Sequence, residues 1–277
     1  MSMNIQFSRK VPLYHASKHR IPTNFQHVNA GLWYNKFCNT WTLEYDADNK
    51  KWKDYGRKKY KAHWLDAANG KTVGDMQLLK EAKDRMRNLV NHKNGKMLHM
   101  KLTSRLAIGL GNPNPTENGF TFHHIYGTPY LPSSSVKGMV RAWATQWMKA
   151  DQTKVDRIFG PDGKEEKEIG QIIFMDAFPV HPVKLEKEMI NVLYKQYYRK
   201  SAKFRPIDSY SPELIPFLSV ASNQTFLFSF VPRAHYDQVD KDVHDVQNWL
   251  IQALQWIGIG AKTSNGYGRF IEDPAYD

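Results

Sequence analysis

The sequence predicts an α+β protein, and three observations carry that prediction. Two stretches, residues 132–148 and 243–256, repeat apolar residues at helical spacing. Four other runs, near 96–110, 169–180, 222–233 and 267–273, alternate or are apolar throughout, and Gly or Pro bounds them as it bounds strands. Helices and strands interleave as strand, helix, strand, insert, strand, helix, strand. That order is β-α-β-β-α-β, the ferredoxin-like topology.

The elements justify themselves in order. Residues 1–72 show little periodicity and many aromatics. Their densest part is NKKWKDYGRKKYKAHW, 49–64, where Lys58, Lys59 and Lys61 stand among Trp52, Tyr55, Tyr60 and Trp64. Cations for phosphates and aromatics for bases are the two components of single-strand binding. A basic loop whose aromatics anchor it to the body fits the same pattern equally well. Residues 73–92 carry an apolar stripe, Met76, Leu79, Ala82, Met86, Leu89 and Val90, and predict one helix before Gly95. KMLHMKLTSRLAIGL, 96–110, reads as the first core strand. The loop that follows, 111–131, holds His123 and His124, a pair suited to acid-base chemistry but more often used in loop packing.

PSSSVKGMVRAWATQWM, 132–148, predicts the first core helix. Ser133 or Ser134 is placed to cap it, and Val136, Val140, Trp143 and Trp147 form its buried stripe. Ser134 and Ser135 hydroxyls, free N–H groups and the i, i+4 pair Lys137 and Arg141 meet at one helix start, which predicts a phosphate site. After the strand at 169–180 comes an insert at about 180–221, read as helical or irregular and rich in tyrosine. A third strand and the second core helix then lead into GIGAKTSNGYGRF, 258–270. Here Gly258, Gly260, Gly266 and Gly268 surround Lys262, Thr263, Ser264, Asn265 and Arg269. The stretch is no Walker A loop, because Ala261 precedes Lys262-Thr263 and the loop follows a helix. It is no dinucleotide fingerprint either, because Thr263 stands where a third Gly is needed. The glycines allow tight backbone geometry, and the polar residues offer charge and donors to phosphodiester or 2′-hydroxyl groups.

Composition narrows the partners. The 277 residues carry a net charge of +12; residues 1–149 hold +15 of it and residues 150–277 hold −3. A one-sided basic field attracts polyanions, of which nucleic acid fits best, since no basic amphipathic helix suggests a membrane surface. No run of 18 apolar residues and no apolar leader occurs, and there is one cysteine, Cys38. The expectations are a cytoplasmic protein without membrane span, disulfide, metal or cofactor.

The motif residues also carry a resemblance. PYLPSSSVKGMVRAW resembles the Ser-Ser-x-Lys-Gly-x-x-Arg element of RAMP proteins, and GIGAKTSNGYGRF resembles their C-terminal glycine-rich loop. The likeness covers about residues 96–272. Within that superfamily, FHHIYGTPYLPSSSVKG, IFMDAFPV, YKQYY and PIDSYSPELIPFLSV are similar to the sixth-subunit family of type III-B Cmr complexes. The chain departs from the pattern at Ser133, where the family commonly has Gly, and at Val192-Leu193, where it often has Pro-His. The resemblance implies a non-catalytic subunit that binds single-stranded guide RNA, with target RNA a further possibility. Its neighbours would be the first Cmr subunit and the repeated backbone RAMP subunit. The competing expectation is a metal-independent endoribonuclease using His123, His124, Tyr267 and Lys262. A basic scaffold that binds only protein is the third. The division expected is a basic N-terminal segment with one helix, 1–95, packed on a core domain, 96–277.

Overall fold

A computed structural model describes residues 8–11, 28–38, 41–46, 51–54, 58–116, 118–162, 168–192 and 213–276. Side chains of 8–11, 41–46, 51–54, 58–62, 192 and 213 are outside the description. The elements are β1 Ser8–Val11, α1 Ala30–Lys36, β2 Trp41–Asp46, β3 Lys51–Asp54, α2 Lys58–Ala68, β4 Thr72–Val73, α3 Met76–His92 and β5 Lys96–Leu102. They continue with α4 Ser133–Ala142, α5 Gln152–Phe159, β6 Ile172–Phe174, β7 Phe178–Pro179, β8 Val183–Val192, β9 Glu213–Val220, β10 Thr225–Pro232, α6 Val239–Trp256 and β11 Phe270–Glu272.

The central sheet runs β11-β5-β10-β6, with β7 also on β10, and every pairing in it is antiparallel. Taking β5, β6, β10 and β11 as strands one to four, the order is 4-1-3-2, as the ferredoxin-like reading requires. Strand β10 is buried on both sides. Phe226, Phe228 and Phe230 face the main core with Val136, Val140, Val246 and Leu250 of α4 and α6. Leu227 and Ser229 face the other way, toward Leu79, Ala82 and Met86 of α3. A helix from before the core thus covers the sheet surface that an RNA-recognition domain leaves open for bases.

The structure corrects several expectations. The first 95 residues carry three described helices, not one. Their Trp33, Tyr34, Trp64, Leu65 and Ala68 share one continuous core with β5, β10, α4 and α6. Trp64 is 5% exposed and stacks on Trp33 at 3.7 Å and 10°. It anchors the segment and offers no face to a base. The insert is a β-hairpin in its described arms, β8 on β9, and β8 also pairs with β4; Tyr194, Tyr197 and Tyr198 lie outside the described residues. The first core helix ends in a π-turn at Trp143–Trp147. Helix α5 went unread, although Asp151 caps it and Val155, Ile158 and Phe159 give it an apolar face.

Tyr34 ties α1 to the 111–131 loop. Its hydroxyl lies 2.9 Å from Thr116 Oγ1 and donates to the Asn118 carbonyl at 3.0 Å. Burial pushes the phenol up from 10.0 to about 12. The folded chain therefore holds this proton at pH values where the unfolded chain has released it. The associated stability is intact below about pH 10 and is lost as pH rises through about 12. Urea midpoints should fall across that window, and Tyr34→Phe should flatten the fall. An unchanged pH profile in Tyr34→Phe would assign the loss to other groups.

Candidate nucleic-acid interface

The glycine loop begins where α6 stops. Gly258 N–H donates to the Ala253 carbonyl at 2.9 Å, closing the helix with a positive φ of 70°. The chain then folds against the segment that leaves β5. Ile259 N–H donates to Gly268 O at 3.0 Å, Ala261 N–H to Ala107 O at 2.7 Å, and Gly268 N–H to Arg105 O at 2.8 Å. A Cβ on Gly268 would stand 1.9 Å from Ile259 O, and one on Gly260 2.5 Å from Ala107 O. These two glycines are required by the protein's own backbone. Gly266, at φ 87°, has open space around it, so only its dihedral asks for glycine.

Polar residues divide by side. Ser264, Asn265 and Gly266 form an exposed tip. Lys262 is in the left-handed region, φ 61°, and its Nζ lies 5.8 Å from the Phe217 ring centre. Arg269 sits behind the loop: Nη2 donates to Thr263 O at 3.2 Å, and buried Nη1 has no hydrogen-bond partner among the described residues. No carboxylate among the described residues pairs with Lys262 or Arg269. The N–H groups of Lys262, Thr263 and Ser264 also lack a partner there. Unpaired N–H donors on a loop that also carries an uncompensated guanidinium are the kind of arrangement an anion would complement.

The start of α4 lies across from it. A groove of about 730 Å³ is lined by Pro132, Ser135 and Met139 on one side and Gly258, Gly260 and Thr263 on the other, with Gly109 and Asn112 between. Two motifs more than 120 positions apart in the chain thus share one groove. Ser134 and Ser135 are exposed, but neither Ser133 nor Ser134 caps the helix. Asp176, between β6 and β7, accepts from Ser133 N–H at 2.6 Å. A carboxylate already holds the first N–H donor of α4, so that N–H is not free for a phosphate.

Lys137 and Arg141 point away from the groove. Arg141 Nη2 lies 3.0 Å from Asp162 Oδ2 and 4.0 Å from Asp156 Oδ1, ion pairing without a well-aligned hydrogen bond. These two carboxylates offset its charge, unlike that of Lys137. Lys137 is half-buried with no carboxylate partner among the described residues. Burial, then the nearby Arg141 and Arg233, push its ammonium below the usual lysine value. An anion beside it would relieve that repulsion.

The remaining candidates resolve differently. Lys58, Lys59 and Lys61 lie in α2, with side chains outside the description. His123 stacks on Tyr126 at 4.3 Å and 12°. Its Nδ1 accepts from the N–H groups of Ile125 and Tyr126 at 3.3 and 3.4 Å. Burial, then His124, hold its pKa below 6.5. It is a neutral turn-organising ring, whereas His124 is exposed. Tyr267 donates to Glu188 Oε2 at 3.3 Å, and burial, then Glu188, push its phenol up. Arg105 joins this corner, with Nε 2.6 Å from Glu186 and 2.7 Å from Glu188. Sequence reasoning missed Asp176, Arg105 and Arg233, whose spacing within the chain carries no motif. No cluster of His, Cys, Asp or Glu suited to a metal occurs among the described residues. No helix among them is long and apolar enough to cross a membrane.

The chain is similar to known proteins. The Cmr subunit Cmr6 of Pyrococcus furiosus is 30% identical, over 62% of this chain and 66% of the relative. Cmr6 of Saccharolobus solfataricus is 28% identical, over 56% of this chain and 48% of the relative. The match therefore spans just under two thirds of the first and about half of the second. A chain in the cryo-EM structure of the Type III-B Cmr-beta bound to cognate target RNA superposes with a TM-score of 0.61 at 20% identity. That superposition covers 78% of this chain and 72% of that one, and at this identity it speaks for the fold alone. The family model of the RAMP superfamily matches residues 99–271, from the middle of β5 through the glycine loop to β11, and the chain belongs to that superfamily.

Proposed function

We propose that this chain is a non-catalytic, RNA-binding assembly subunit of a type III-B CRISPR effector complex. In this reading it holds the 3′ portion of a single-stranded guide RNA at the end of the backbone filament, beside the first subunit and the repeated backbone subunit. The observation that carries the proposal is the shared groove. It sets the unpaired N–H groups of the glycine loop, which also carries Lys262 and Arg269, opposite the start of α4. Similarity to Cmr6 supports the complex, and the basic first half of the chain supports the polyanion.

The endoribonuclease reading needs a base and an acid free to act. His123 has Nδ1 engaged by two main-chain donors, and Tyr267 is a protonated donor to Glu188. Both have structural employment, which favours the non-catalytic reading.

The test is binding of a labelled single-stranded guide-repeat RNA across a salt series, with duplex DNA as control and a gel for cleavage in EDTA. Salt-sensitive binding to intact RNA is expected. Lys137→Ala should reduce the log–log salt slope by about 0.7. Arg141→Ala should leave it unchanged, because Asp162 and Asp156 already offset that charge. Equal slopes for wild type and Lys137→Ala would take Lys137 off the RNA path. Specific cutting in EDTA would replace the proposal with the nuclease.

A further inference from the structure

The groove between α4 and the glycine loop is electrostatically unusual for a polyanion path: none of its lining residues is charged. Leu110, Met139 and Ile257 are among its apolar residues, and Asn112, Thr121, Tyr130, Ser135 and Thr263 supply neutral polar groups. Its volume of about 730 Å³ falls within the range of clefts that enclose small organic groups, roughly 300–1,000 Å³. Thr263 brings the unpaired N–H groups of the glycine loop to its edge, while Lys262 lies over Phe217 and Arg269 packs behind the loop. A phosphate is suited to that edge, and an uncharged flat group to the interior.

One aromatic residue lines the groove, Tyr130. Its ring is held from behind. Phe178 is nearly parallel to it at 6.1 Å and 18°, and His123 meets it edge-on at 5.2 Å and 86°. His123 is itself stacked on Tyr126. A ring fixed in this way loses little rotamer freedom when a ligand packs on it. Across the groove, Asn112 Nδ2 donates to Thr121 Oγ1 at 3.3 Å. That leaves the Asn112 amide oxygen as an acceptor for the edge of a planar heterocycle.

We propose that the groove is a nucleobase pocket, in which one unpaired base of single-stranded RNA stacks on Tyr130 while its phosphate rests on the 262–264 backbone. This rests on the RNA-binding reading above and adds to it a base-contacting residue and a requirement for an unpaired base. Duplex RNA would be excluded, since its bases are stacked and paired.

The test compares the full chain's affinity for a twelve-nucleotide oligoadenylate and for the wholly abasic oligomer of equal length. Wild type should bind the abasic oligomer about 5- to 150-fold more weakly, the range for loss of one base stack, at an unchanged salt slope. Tyr130→Leu should erase most of that difference, and Tyr130→Phe should keep it. Equal affinity of wild type for both oligomers, with normal salt dependence, would overturn the base pocket and leave the RNA-binding reading standing. Binding of neither oligomer at low salt would overturn both. Adenosine monophosphate is the control for a free-nucleotide site. Saturation by the mononucleotide as tight as by the oligomer would overturn the RNA assignment of the pocket. The abasic arm uses unmodified protein, so the outcome does not depend on a variant folding.

Discussion

Replacing Asp242 with Ala is expected to lower the melting temperature by on the order of 10 °C. Asp242 is fully buried in the first turn of α6. Its Oδ2 accepts from Arg157 Nε at 2.7 Å and from the Tyr236 hydroxyl at 3.0 Å, and its Oδ1 accepts from Arg157 Nη2 at 2.8 Å. Arg157 belongs to α5, so this bidentate pair fastens α5 to α6. The carboxylate also complements the positive end of the α6 dipole. Burial, then Asp242, push the Tyr236 phenol up, so Tyr236 remains a donor at any pH of interest. Breaking a buried pair by removing one partner costs roughly 3–5 kcal/mol, mostly because the other charge is stranded. In a protein of this size each kcal/mol moves the melting temperature by about 2–4 °C. Asp242→Asn keeps the volume and one acceptor oxygen, and should fall between Ala and wild type. A melting temperature for Asp242→Ala within about 2 °C of wild type would mean that water or a rotated Arg157 replaces the pair.

Gly268→Ala is the second large effect, and it joins stability to function. The new methyl would lie 1.9 Å from Ile259 O at a φ of 69°. Such a contact with backbone cannot be relieved by a rotamer change. The Ile259–Gly268 hydrogen bond must open, and the residue must leave the left-handed region or bear its strain. Strain of about 1–3 kcal/mol plus a lost hydrogen bond of about 1 kcal/mol sets the minimum cost. Gly266→Ala is the matched control, with φ 87° but nothing within 4 Å. It should lose only the dihedral contribution, about 1 kcal/mol. Denaturant midpoints for the two variants therefore separate close approach from backbone strain. Gly268→Ala should also displace the 262–264 N–H groups and weaken RNA binding in whatever fraction folds. Gly260→Val acts through the same cause at Ala107 O. Wild-type affinity in a folded Gly268→Ala protein would show that the loop only connects α6 to β11.

The order of elements was legible in the sequence because the signals are local. Alternation in 96–102, the Phe226, Phe228 and Phe230 spacing of β10, and the stripe on α6 arise from periods of two and 3.6 that need no tertiary partner. Both motifs of the candidate site were legible for the same reason: an unusual density of Gly, Ser and cations marks close backbone approach. The cap and first turn of α5 were equally present at 151–159, though unread. The charge state of the site was not legible. Whether a cation is free depends on carboxylates brought beside it by folding. Arg141 meets Asp156 and Asp162, while among the described residues the Arg269 guanidinium meets a carbonyl and no carboxylate. The role of each aromatic was hidden likewise, since Trp64 in a basic run finds Trp33 and becomes core, whereas Tyr130 in a loop comes to line the groove. By itself the sequence determined the α+β order, the superfamily motifs and the basic first half. Only the tertiary structure decided which donors face the groove and which charges are already answered, because pairing and burial are set by proximity in space, which a linear pattern does not contain.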